Sequence, residues 1–121
     1  MPINRRIDDD PTLIYTVLSG RVTDTELWSY YQRIIAEMTY VPWRELVDGT
    51  QVAEMVLTSE GLTRLAGIIE ASLEKLRDGR VAMVATTDVT YGVFRMWELQ
   101  REALNYEVRV FRDLERALAW L

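Results

Sequence analysis

After Gly20 the chain alternates between segments built like strands and segments built like helices. The stretches "RELVD" (44–48), "VAMVAT" (81–86) and "YEVRVF" (106–111) are short and rich in apolar or β-branched residues. Each is preceded and followed by a longer stretch whose apolar residues recur at helical spacing. Strand, helix and strand in strict succession require parallel pairing with right-handed crossovers. Upstream, "INRRI" (3–7) and "LIYTVL" (13–18) flank the acid-rich "DDDPT", whose Pro11 favours a turn, so they read as an antiparallel hairpin. The order is ββαβαβαβα. It predicts a single α/β domain, 1–121, with a mixed, mostly parallel sheet of about five strands and helices on one face or unequally on both.

The helices announce their own ends. Thr23 and Glu26 fit a capping box ahead of Leu27, Tyr31, Ile34, Ile35 and Met38, which lie on one helical face. "VPW" (41–43) closes that helix, because proline disfavours helix in the residue before it. "GTQVAEMV" (49–56) reads as a loop. "LTSEGL" (57–62) starts a second helix with an apolar stripe of Leu62, Leu65, Ala66, Ile69, Leu73 and Leu76. Asp78-Gly79 ends it, Gly79 suiting a left-handed position. "VAMVAT" has no polar alternation, as in a central strand buried on both faces. A third helix runs over roughly 88–104 from Thr87 or Asp88. Asp113 caps a last helix carrying Leu114, Ala117, Leu118 and Leu121.

Composition excludes several kinds of chemistry. A chain of 121 residues with 49% hydrophobic and 27% charged residues has an ordinary globular balance. The formal net charge of −5 disfavours nucleic acid, which attracts basic faces. There is no cysteine and no histidine. This removes thiolate nucleophiles, imidazole acid–base catalysis and most transition-metal sites. Lys75, the one lysine, lies in the charged stretch "EKLRDGR" and reads as solvated, a poor Schiff-base candidate. The six glycines never form a phosphate cradle. No cofactor and no metal is expected. No apolar run is long enough for a membrane span, and "MPINRRIDDD" lacks the apolar core of a secretory signal. The expected location is cytoplasmic.

The strand order, with "ELVDGTQV" and "LTSEGL", resembles the STAS family of anti-sigma-factor antagonist domains and the SpoIIAA-like bacterial proteins akin to them. In that family a strand ending near an Asp leads to a helix that starts Asp-Ser-Ser/Thr-Gly-Leu. Here Asp48 matches the strand's acid, and Thr58, Ser59, Glu60, Gly61 and Leu62 match the helix start. The resemblance covers nearly the whole chain as topology and about a dozen residues as motif. It implies a non-catalytic regulatory module that docks on a protein partner, a regulator or kinase, and is released by phosphorylation. Glu60 stands where the family carries the phosphorylated hydroxyl, and Thr58 where it carries the acid. A surviving switch would therefore use Ser59 or Thr58, with Asp48, Glu60, Gly61 and Leu62 as the partner surface. The plainer reading is that one hydroxyl caps the helix and Glu60 complements its dipole.

Two other constellations stay open. Asp48, Asp88 and Asp113 each follow a strand, toward the sheet edge where ligands of open α/β sheets bind. Clustered, they could hold Mg²⁺ or serve an enzyme as an acid–base pair, yet Asp88 and Asp113 also stand where N-caps belong. In the third helix, Val89, Val93, Met96 and Ala103 suit the sheet, while Tyr91, Phe94 and Trp97 recur on a neighbouring face flanked by Arg95 and Arg101. Those rings fit a partner or homodimer interface, core packing, or a pocket for a small apolar or lipid-like molecule that includes Met83 or Met96.

Overall fold

The computed structural model describes residues 2–6, 10, 12–37, 43–101 and 106–121. Five strands form one sheet in the order β1-β2-β3-β4-β5. They are β1 (Ile3–Arg6), β2 (Ile14–Thr23), β3 (Arg44–Val56), β4 (Arg80–Val84) and β5 (Glu107–Phe111). The helices are α1 (Asp24–Glu37), α2 (Ser59–Glu70), α3 (Leu73–Leu76), α4 (Asp88–Gln100) and α5 (Leu114–Trp120). β1 pairs antiparallel with β2, and every later pair is parallel. This is the α/β sheet with an antiparallel edge that the sequence predicts.

The topology decides where the helices lie. From β2 to β5 each crossover steps in the same direction, so right-handed connections carry all the crossover helices to one face. Residues of α1, α2, α3 and α4, including Ile34, Leu65, Leu76 and Phe94, share one core on that face. α5 follows the last strand, is not a crossover, and packs Ala117 on the other face against Leu46, Ala82 and Val84. β4 is buried on both sides, as the unbroken apolar run requires. Ile14, Leu18, Ile34 and Leu46 are almost fully buried, each contributing about 1.5–3 kcal/mol relative to an exposed side chain.

Local expectations hold at the caps. Glu26 Oε1 accepts from Thr23 N–H at 3.1 Å, and Thr23 Oγ1 accepts from Glu26 N–H at 3.3 Å, which is the reciprocal capping box. Thr87, rather than Asp88, caps α4 and accepts from Thr90 N–H. Asp113 caps α5 by accepting from Arg116 N–H at 2.9 Å.

Several expectations are corrected. Residues 49–56 are not a loop, because β3 continues through them to Val56. Its partner β2 runs past Gly20 to Thr23, with register shifts on either side of Gly20, which sits at φ 65°. Glycine therefore bends a strand here instead of ending it. Beyond Asp48, β3 pairs with β2 alone, because β4 stops opposite Asp48. A two-stranded ribbon results, its Val22 and Val52 turned into the core. The second helix is divided, with α2 ending at Glu70 and a separate short α3. Asp78 itself takes the left-handed conformation at φ 59°. Gly79 serves close packing instead, since a Cβ there would lie 2.6 Å from Trp43 O. Lys75 is not simply solvated, because its Nζ donates to Ile35 O, a carbonyl in the last turn of α1. Met38, Val41, Pro42, the Pro11 turn, Asp8, Asp9 and Ala103 lie outside the described residues, as does the side chain of Leu73.

Candidate functional site

The crossover helices do not close completely over the sheet. A cavity of about 350 Å³ remains between α2, α4, the β2–β3 ribbon and the central strands. Its wall is mostly apolar and includes Val47, Met83, Leu65, Ile69, Phe94 and Trp97. Ligand pockets start at roughly 300 Å³, so this one accommodates a small molecule.

One ionisable side chain forms part of that wall. Glu45 is 2% exposed, and three donors converge on it. Thr16 Oγ1 donates to Oε2 at 2.7 Å, Tyr31 OH donates to Oε2 at 2.9 Å, and Trp43 Nε1 donates to Oε1 at 3.3 Å. Thr16 has one proton and gives it to Glu45, so Tyr30 OH is the donor in the 2.7 Å Tyr30–Thr16 bond. Strand alternation explains the placement, since Glu45 and Val47 point to the crossover-helix face while Leu46 and Asp48 point to the other. Burial raises the Glu45 carboxyl above its ordinary value, and the three donors oppose that rise. Burial and then the charge of Glu45 push the Tyr31 phenol well up, and the same two causes raise Tyr30. Tyr106, which also lines the cavity, is pushed up to about 12 by burial, against the opposing effect of Arg101 beside it.

The α2 N-terminus borders the same cavity through Leu57, Ser59 and Leu62. Thr58 is the N-cap and accepts from Gly61 N–H at 3.0 Å. Its hydroxyl donates to Asp24 Oδ2 at 2.6 Å, and its N–H donates to the same oxygen at 2.9 Å. These bonds hold the Asp24 carboxyl below its ordinary value. A Cβ on Gly61 would fall 2.0 Å from Asp24 Oδ2, so glycine makes room for this contact. Thr58 is thus committed to structure, while Ser59 and Glu60 are exposed. Asp48 does not join them. It is 5% exposed inside β3, where it accepts from Tyr15 OH at 3.3 Å and from Thr50 N–H at 2.9 Å. Its place on a partner surface is corrected by that burial.

α4 is turned from the expected orientation. Thr90 and Phe94 are buried, with Val93 and Trp97 partly buried. Val89 and Met96 are 74% and 57% exposed. The inward stripe is Thr90, Phe94, Trp97 and Arg101, at i, i+4, i+7 and i+11. Its polar ends made it look unlike a core face. Phe94 and Trp97 form cavity wall, whereas Tyr91 lies beneath the Arg112 guanidinium at 4.2 Å. Arg95 is exposed and pairs with Glu98. Asp48, Asp88 and Asp113 do not converge: Asp88 pairs with Arg112 at 2.6 Å and Asp113 caps α5. Among the described residues no group of three acids could hold a metal ion. No helix among them is long and apolar enough to cross a membrane. Sequence reasoning missed Glu45 as part of the site. The available signal was an acid two residues before Val47, on the same face of a central strand.

No family model matches the sequence, and a search of curated proteins finds no match. Solved structures do match. One is an uncharacterised protein from Shewanella loihica PV-4, of the DUF3478 family and with a SpoIIAA-like fold. It is 16% identical, at a TM-score of 0.65, over 98% of this chain and 91% of that one. The order of strands and helices, the antiparallel edge and this likeness agree, and the chain has a SpoIIAA-like fold.

Proposed function

We propose that the chain is a non-catalytic binding domain that takes a small apolar or lipid-like molecule into the cavity between α2, α4 and the sheet. The observation that carries this reading is an apolar space of about 350 Å³ in which the carboxyl group of Glu45 is already held by three donors. A dry apolar cavity is filled favourably by an apolar ligand, because each buried methylene contributes about 0.8 kcal/mol. The tyrosine hydroxyls nearby are poor acids in this setting, and no group of metal-ligating side chains accompanies them among the described residues. Native mass spectrometry of the purified chain, followed by a thermal-shift screen of apolar compounds, tests the reading. Bound mass or stabilisation by apolar compounds is expected. A ligand-free chain that no apolar compound stabilises would overturn it.

A second reading concerns protein partners. Ser59 is an exposed hydroxyl in the first turn of α2 and also borders the cavity. Phosphate there would meet the positive end of the helix dipole, but Glu60 and Asp24 would lie close by. The reading is a regulatory docking surface formed by Ser59, Glu60, Gly61 and Leu62. A partner recovered by wild type and lost with S59D supports it, and equal recovery by both counts against it.

A further inference from the structure

Among the described residues Glu45 is the one carboxyl in the wall of the apolar cavity, and no arginine or lysine lines that space with it. Nor does Glu45 have an ion-pair partner among them. Its three hydrogen bonds offset part of the cost of burying a charge, yet burial still raises the carboxyl. An ionised carboxylate has about four acceptor positions. Oε2 takes the two shorter bonds, from Thr16 and Tyr31, whereas Oε1 takes only the 3.3 Å bond from Trp43. Oε1 therefore keeps a position for one more donor.

The rings of the wall favour the same sign of charge. Tyr31, Trp43, Phe94, Trp97 and Tyr106 all line the cavity. Ring faces are negative and attract cations, and sets of such rings hold alkylated ammonium groups. Arg101 stacks on Trp97 at 4.4 Å and lies beside Tyr106, so a second cation is disfavoured at those two rings. Tyr31 and Trp43 carry no such guanidinium among the described residues, and both donate to Glu45. A cation inside the cavity is thus best placed at Glu45.

We infer that the cavity takes an aliphatic amine, whose ammonium group donates to Glu45 Oε1 and whose alkyl chain lies along the apolar wall. This inference rests on the apolar-ligand reading above and adds the head group. A primary alkylamine resembles the lysine side chain, which titrates near about 10.4, so it is charged at neutral pH. It brings both the missing N–H donor and the missing positive charge. An engineered cavity of about 150 Å³ holds benzene, so one of about 350 Å³ holds a chain of roughly ten carbons.

The experiment is calorimetric titration of the delipidated full chain with decylamine, 1-decanol and decyltrimethylammonium, on wild type and E45Q. Wild type should bind decylamine at least ~10-fold more tightly than decanol, the difference a charge-assisted hydrogen bond makes. Decyltrimethylammonium, which has the charge but no N–H, should bind more weakly than decylamine. E45Q should lose the preference for decylamine over decanol. If E45Q does not fold, wild type in high salt is the deciding measurement. The preference should persist there, because salt screens attraction to surface charge far more than a buried pair. Equal binding of decylamine and decanol by wild type, a preference kept by E45Q, or one lost in high salt overturns the role of Glu45 and leaves the apolar-ligand reading standing. Tighter binding of decyltrimethylammonium than of decylamine overturns the N–H donation to Oε1. Failure of all three probes overturns the apolar-ligand reading itself.

Discussion

Glu45 and Gly61 show how single residues set the site. Glu45 has its carboxyl value raised by burial, so the folded state binds its proton more tightly than the unfolded chain. Its contribution is therefore fully present below the ordinary carboxylate value of 4.5 and is lost as pH rises through the raised value. Asp24 and Asp10 act in the opposite sense, because hydrogen bonds lower their values, Asp10 to about 2. Urea unfolding of wild type and E45Q isolates Glu45. The stability of wild type relative to E45Q should fall as pH rises above 4.5, and a constant difference would refute this assignment. At Gly61 the prediction is a change of sign. Alanine there collides with Asp24 and should destabilise the wild type. In a D24G background, which removes the Asp24 Cβ at 2.5 Å as well as the carboxylate, that collision is gone, and the same change should stabilise by about 0.5–1 kcal/mol through helix propensity. Chemical denaturation of the four proteins in that cycle measures it.

At the scale of elements, legibility in the sequence followed periodicity and failed where polar residues take structural roles. The capping box of α1, the caps Thr58, Thr87 and Asp113, and the doubly buried β4 were all readable from local residue types. The ribbon was not, because Gly20 and the polar stretch after Asp48 look like strand ends. Pairing of β2 with β3 through a bulge is a tertiary event that local propensity does not encode. The α4 face was misread for a related reason. Its inward stripe begins with Thr90 and ends with Arg101, while Val89 faces outward and Met96, though 57% exposed, borders the cavity. The candidate site was only partly legible, since the third-helix rings pointed to a pocket but the Glu45 cluster draws on β2, α1 and β3 at once. The orientation of α4 has a direct consequence. Phe94→Ala should cost about 3 kcal/mol or more in urea unfolding, as for other large buried rings, whereas Met96→Ala should change stability by less than about 0.5 kcal/mol. Equal costs would mean that the helix presents a different face.

For the whole molecule, the sheet order β1-β2-β3-β4-β5 gathers every crossover helix on one face. That face has to be covered by α1, α2 and α4, which leave the cavity between them, while α5 alone covers part of the other. Site and fold therefore have one origin, the unidirectional strand order. A ligand held there stabilises the fold by mass action. At 100 times its dissociation constant it adds about 2.7 kcal/mol. For a chain of this size that raises Tm by about 10 °C. Val93 lines the cavity from α4, so Val93→Trp fills the space without removing Glu45. The most direct test is the Tm of wild type and Val93→Trp, each with and without 1-decanol at saturating concentration. The account predicts a rise of several degrees for wild type and none for the filled variant. An unchanged wild type, or an equal rise in both proteins, would contradict it.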